Sequence, residues 1–405
     1  MARRQTDRFE FIALVALLTS LTALGLDAIL PALPGIGLDL GVTAPNQMQL
    51  AVTMFTFGMV FGEILFGPLC DALGRKPAIL LGVAIFCIGS AVAMTANSIE
   101  QMVLGRIIQG FGVSGTKIGA RTLIRDKFSG EAMAQVMSLV FTILILVPMI
   151  APAVGQGLTA LTGWRGLFGF YIAVALLAGL WLAQRQPETL PAERRIALAP
   201  GRILRNGWRI LRHPVVLAHT CAAGLIFGAQ LLYLGTAHSL IAEVYGKGAW
   251  FPFYFAVLAF GIGIASFINA RLVLRFGMEI LVANALIGMA GLSGALLLIA
   301  WFYSGVPPFW VFMAMFFAIF FCVGVLFGNL NAISMQSLGA VAGLGSSMIA
   351  SLSSLIAVVF SMSLGWFYAE TIVPVALGFL LAAVVAAMVV KASRQGDDFS
   401  VLPVR

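Results

Sequence analysis

Twelve apolar stretches, each long enough to cross a bilayer as a helix, run through this chain and divide six and six around an Arg-rich segment at residues 185–212. Hydrocarbon offers backbone amides no hydrogen-bond partner, so such a chain is confined to packed helices. A core about 30 Å thick needs about 20 helical residues per crossing, and the stretches fall at about 11–30, 46–66, 77–96, 101–121, 133–158, 165–184, 213–241, 249–270, 280–302, 307–334, 341–368 and 371–390. Apolar residues make up 61% and charged residues 10%, against roughly 45–50% and 25% in soluble domains. Lipid is therefore the outer solvent, and little chain remains for a soluble domain.

The basic residues set an orientation. With the amino terminus inside, twenty of the twenty-four Lys and Arg fall on the cytoplasmic side: Arg3, Arg4, Arg8, Arg75, Lys76, Arg121, Arg125, Lys127, seven Arg in 185–212, Arg271, Arg275, Lys391, Arg394 and Arg405. Arg165 and Lys247 fall outside, and Arg106 and Lys117 lie within the fourth span. The positive-inside rule then puts both termini in the cytoplasm and accounts for the net charge of +8 without nucleic acid. Residues 1–10 read as the approach to a retained first helix, not a removed signal peptide.

The predicted organisation is all-α: an N-terminal six-helix bundle at 1–184, a cytoplasmic basic linker at 185–212, a C-terminal six-helix bundle at 213–390 and a cytoplasmic tail at 391–405. Phe57-Gly58, Gly67 and Gly74 align with Phe260-Gly261, Ala270 and Gly277 at an offset of 203 residues. A duplicated, pseudo-symmetric unit of this kind suits alternating access around a site near the bilayer midplane. In the linker, Ile203, Leu204, Trp208, Ile210 and Leu211 punctuate the Arg residues, a pattern that fits a short interfacial helix among anionic lipid headgroups or a plain basic tether.

Between the second and third spans, GPLCDALGRK at residues 67–76, completed by Leu80, resembles the loop signature of the major facilitator superfamily. Gly67 and Gly74 would permit a tight turn, and Asp71 would meet a helix N-terminus or a basic side chain. LDAILPALP at 26–34 with Asp39, and RIIQGFG at 106–112, resemble motifs of that superfamily's drug:proton antiporters, particularly the bicyclomycin-resistance (Bcr/CflA) type. The resemblance implies the twelve-helix major facilitator fold, and a cytoplasmic gate at Gly67, Asp71, Gly74, Arg75, Lys76, Arg121 and Arg125. Three departures stand out. Ala72 replaces a usual Arg, the antiporter motif of span five survives only as VPMIAPAVGQ at 147–156, keeping Pro152 and Gly155 for the kink, and Leu274 stands where the second half would repeat Asp71.

An ionisable residue inside the membrane is costly and is a functional candidate for that reason. Four occur, all in the first half: Asp27, Glu63, Arg106 and Lys117. At about 1.5 Å per residue, Asp27 lies about 6 Å below Pro31 and Arg106 about 9 Å below Glu100, so their depths match, as do those of Glu63 and Lys117. Arg106 and Lys117, eleven residues apart, share one helix face with Gln109 and Val113 between them, while Gly112, Gly115 and Gly119 form a separate packing stripe. These residues predict a proton-coupling pair, Asp27 with Arg106, and a cavity lined by Glu63, Gln109, Val113 and Lys117. In the second half Gln230, Phe316, Phe320 and Asn329 would complete a neutral, aromatic lining, although helix packing is the commoner use of such an aromatic stripe.

The reading that follows is proton-driven efflux of small amphipathic compounds through a bacterial inner membrane, by a monomer without a cofactor, with protons, lipids and a small-molecule substrate as partners. A carrier for one metabolite or siderophore is the alternative within the class, and a non-transporting receptor the alternative outside it. No nucleophile or metal spacing of an enzyme occurs, and no Walker loop for ATP. Cys70, Cys87, Cys221 and Cys322 are scattered, as are the three His.

Overall fold

The apolar stretches form helices because each can satisfy its own amides only by i to i−4 bonding. The structure, a computed structural model, describes all residues except 1, 43–44, 197, 199–200, 202–204, 206, 208–209, 211, 337–341 and 395–405. Among the described residues there is no strand. The long helices are α1 (Ala2–Asp27), α2 (Gln49–Leu73), α3 (Arg75–Met94), α4 (Ile99–Lys127), α5 (Gly130–Arg185), α6 (Pro214–His238), α7 (Phe251–Phe276), α8 (Met278–Phe302), α9 (Phe309–Gln336), α10 (Ala342–Gly365) and α11 (Val373–Arg394). The expected interfacial helix of the linker and the end of the tail lie outside the described residues.

Ten segments among the described residues are long and apolar enough to cross a membrane. Two features separate this from twelve stretches. Helix α4 is not among the ten, because Arg106 and Lys117 lie within it, and α5 is continuous in helix assignment although Gly163 breaks it at φ 72°, ψ 174°. That conformation is open to glycine and strained for other residues, and it divides α5 into arms at 130–162 and 164–185.

The chain divides into two compact units, residues 1–43 with 54–200, and residues 44–53 with 201–405. In the first, small residues set the helix spacing. A Cβ on Gly112 or Gly115 of α4 would overlap α3 at Phe86 or Gly82, and one on Gly119 would overlap Ile79. Gly58 and Gly62 of α2 face α4 in the same way, against Ile107, Phe111 and Ser114. Close backbone approach of this kind gives membrane helices the packing that the hydrophobic effect does not supply there.

In the second unit Gly224 and Gly228 of α6 lie against Ile356 and Phe360 of α10, and Gly261 of α7 against Phe317 of α9. The proposed repeat is visible in the backbone. Gly74 (φ 105°, ψ 160°) sits between α2 and α3, and Gly277 (φ 78°, ψ 157°) sits between α7 and α8, at the predicted offset. Gly67 behaves otherwise: it lies inside α2, with Pro68 next to it, so Gly74 alone makes the expected tight turn.

Candidate functional site

Arg106 is fully buried on α4 and is held by three different groups. One guanidinium nitrogen donates to the Gly25 carbonyl at 2.7 Å, another donates to Gln109 Oε1 at 2.5 Å, and the plane stands 4.4 Å over the Phe55 ring. Gly25 belongs to the last turn of α1, where carbonyls lack intrahelical partners and carry the negative end of the dipole. A cation there is favoured for the same reason that Lys and Arg favour helix C-termini. Gln109 Nε2 continues the chain by donating to Ser90 Oγ at 2.7 Å, and Ser90 Oγ donates to the Phe86 carbonyl at 2.8 Å. The result is a buried polar line from α1 through α4 to α3.

Asp27 ends α1 and is 6% exposed. None of the ion pairs or side-chain hydrogen bonds found among the described residues involves it, so the expected direct pairing with Arg106 is not formed. The guanidinium is turned instead to the carbonyl of Gly25. Tyr171 is fully buried on the second arm of α5 with its hydroxyl unbonded. Gly155, buried in α5 beyond Pro152, abuts Ala28; a Cβ there would overlap the Ala28 carbonyl. The remnant of the span-five motif thus packs on the residue next to Asp27.

Glu63 and Lys117 do meet. Lys117 Nζ lies 2.5 Å from Glu63 Oε1, with the Glu63 side chain fully buried and that of Lys117 22% exposed. Gln109 and Val113, expected to line a cavity, are instead buried completely in helix packing, and the amide of Gln109 is engaged by Arg106 and Ser90.

The loop signature forms its own network. Arg75 reaches Asp71 at 2.5 Å and Asp126 at 2.9 Å, which gives Asp71 the basic partner expected of it. The N-terminus of α3 is capped from the linker: Glu188 accepts from the Arg75 amide at 3.0 Å and the Lys76 amide at 3.1 Å. Lys76 Nζ donates to the Ala183 carbonyl at 2.6 Å, and the Ile196 amide to the Asp71 carbonyl at 3.0 Å. Arg121 and Arg125 lie exposed near the end of α4.

In the second unit the aromatic stripe is core. Phe312 and Phe316 are fully buried and Phe320 is 3% exposed, packed with Tyr233 and Phe379 at centroid distances of 5.0–6.0 Å for Phe316 and Phe320. Asn329 exchanges hydrogen bonds with Asn269 at 2.8 and 3.3 Å. These side chains therefore pack the unit in this conformation and do not line an open cavity, because their contact surfaces are spent on one another. Gln230 is half-buried on α6.

Sequence reasoning missed Phe55, Ser90, Tyr171, Asp126 and Glu188. Only Glu188 left a trace, as an acid in a basic linker beyond the end of α5. Among the described residues no group of three or more His, Cys, Asp or Glu is placed to hold a metal.

A sequence profile of the Major Facilitator Superfamily matches residues 15–361. The chain belongs to the major facilitator superfamily. A bicyclomycin resistance protein homolog of Haemophilus influenzae is 31% identical over 353 residues, covering 86% of this chain and 87% of that protein. A chloramphenicol resistance protein of Pseudomonas aeruginosa is 30% identical over 304 residues, covering 69% and 68%. The crystal structure of the human organic anion transporter MFSD10 (TETRAN) aligns at a TM-score of 0.65 and 19% identity, covering 94% of this chain and 99% of that one, which shows the major facilitator fold. This superfamily member is a multi-pass membrane transporter and not an enzyme.

Proposed function

We propose that this transporter is a proton-coupled exporter of small amphipathic compounds, resident in a bacterial inner membrane. It crosses the membrane twelve times with both termini cytoplasmic, α4 and the two arms of α5 supplying three of the crossings. Its two halves expose a substrate site to either side in turn. The observation that carries this reading is Asp27, a carboxyl 6% exposed, outside every ion pair found, and next to a fixed buried cation network. A carboxyl with so little solvent and no salt-bridge partner changes protonation when access to water changes, which couples the proton to conformation. Arg106 acts as a positioning residue, since it ties the end of α1 to α4 and so fixes the depth of Asp27. The resistance-protein names of the relatives support this choice of substrate class. At about 100 mV, one inward proton supplies roughly 2.3 kcal/mol, enough for about a 50-fold substrate gradient.

Proteoliposomes carrying an imposed proton gradient and a radiolabelled or fluorescent antibiotic test the proposal. Asp27→Asn is expected to abolish gradient-driven movement while leaving counterflow exchange of the labelled compound in place, and to remove its dependence on pH. Gradient-driven transport at the wild-type rate in Asp27→Asn overturns it. The Glu63–Lys117 pair favours one other reading, a carrier for a single charged metabolite or siderophore, because a partly exposed ammonium offers an anionic substrate a place to bind. In that case Lys117→Met would abolish transport of the anion and leave neutral drugs unmoved in both proteins.

A further inference from the structure

Where α1 begins and α4 and α5 finish, Glu10, Phe11, Leu14, Lys127, Arg185 and Gln186 line a half-open cleft of about 320 Å³. None of these residues belongs to the Asp27 and Arg106 machinery. Two unlike surfaces meet here. Phe11 and Leu14 are apolar and almost fully buried, at 4% and 2% exposure. Opposite them, Lys127 Nζ donates to Gln186 Oε1 at 3.0 Å and stands 4.5 Å over the Phe11 ring.

Arg185 grips the Glu10 carboxylate through two nitrogens at 2.7 and 2.9 Å, and Trp181 Nε1 donates to the same carboxylate at 3.1 Å. Arg8 extends the basic rim, 5.8 Å over Phe128, whose ring lies 5.4 Å from that of Phe11. Glu10 is one acid among three cations, so the cleft keeps a net positive charge. A Trp with its N–H on a polar group and its ring on apolar neighbours is the side chain found at the membrane–water boundary.

We propose that this cleft binds the headgroup of an anionic phospholipid. The phosphodiester lies on the Lys127 and Arg185 side. Basic clefts between transmembrane helices suit phosphate headgroups because the cations complement the phosphate charge at the membrane surface. Position decides between the two sources of phosphate: Trp181, its N–H on the Glu10 carboxylate, marks the membrane–water boundary, where lipid headgroups lie. Such a lipid would bridge α1, α4 and the end of α5, the first two of which carry Asp27 and Arg106.

Native mass spectrometry on the delipidated full-length protein reads this directly. Phosphatidylglycerol is expected to bind at least about fivefold more tightly than phosphatidylcholine of the same chains, and millimolar inorganic phosphate is expected not to displace it. Lys127→Met is expected to weaken phosphatidylglycerol at least about fivefold, and Lys127→Arg to retain it. Equal binding of the two lipids, displacement by inorganic phosphate, or an unaffected Lys127→Met overturns the assignment. The comparisons on the wild-type protein need no variant, so a misfolded Lys127→Met leaves the test intact. Because the readout is binding, its failure leaves the exporter reading standing, and failure of Asp27→Asn to alter transport leaves the lipid site standing.

Discussion

Arg106 is held by a carbonyl, an amide and an aromatic face, and only a planar, forked cation can satisfy all three. Arg106→Lys is therefore not conservative. An ammonium reaching the Gly25 carbonyl would lose Gln109 or the Phe55 face, and a lost charge-assisted hydrogen bond costs about 1.5–3 kcal/mol. A lower thermal midpoint together with at least a tenfold loss of gradient-driven transport is the expected outcome, measured on purified protein and in proteoliposomes. At Glu63 and Lys117 the asymmetry of burial sets the order of damage. Lys117→Met removes the salt-bridge cation from a fully buried carboxylate and is expected to cost about 3 kcal/mol, while Glu63→Gln removes the anion from a cation that reaches water and costs less. The double substitution should recover most of the loss in a thermal-unfolding cycle; additive losses would refute an energetic pairing.

At the scale of the element, the start of α3 depends on a residue from another segment. Removing Glu188 with Ala uncaps two amides, and loss of an N-terminal cap costs about 1 kcal/mol. Faster amide hydrogen exchange at residues 75–78 is the expected signature. The same segment marks how far the sequence could be read. Matching depths on α2 and α4 left open whether Glu63 and Lys117 pair, and packing of the two helices brings them together. For Asp27 and Arg106 the depths matched as well, yet the contact went to Gly25, because a carbonyl is present at every position and leaves no mark in a sequence. Glu188 was hidden for a related reason: its position follows from where α5 ends, not from any local pattern. The glycine stripe on α4 was legible because absent side chains have one structural use there. The Phe stripe on α9 was ambiguous because packing and ligand binding use the same surface chemistry.

For the whole molecule, the duplication predicts unequal consequences at equivalent positions. Gly74 and Gly277 share a backbone conformation, but a Cβ at Gly74 would also collide with Glu188, while one at Gly277 meets nothing within 4 Å. Both substitutions to Ala carry strain of about 1–3 kcal/mol for the left-handed backbone. Gly74→Ala is expected to lower the thermal midpoint more, and an equal drop would show that the linker cap contributes nothing. Hydropathy and glycine spacing predict two halves, but nothing in the sequence marks the assignment of residues 44–53 to the second compact unit. One property of α4 reaches back to the chain's synthesis. A charge near the middle of a helix entering the bilayer costs about 2.5–3.5 kcal/mol on translocon scales, and Arg106 and Lys117 both ride on α4. This segment is therefore poorly suited to leaving the translocon alone. Its glycines already fit those of α3, so the two are expected to enter as a hairpin, and biogenesis of the first half would stall in a chain whose third span had been replaced by a bulky polyleucine helix.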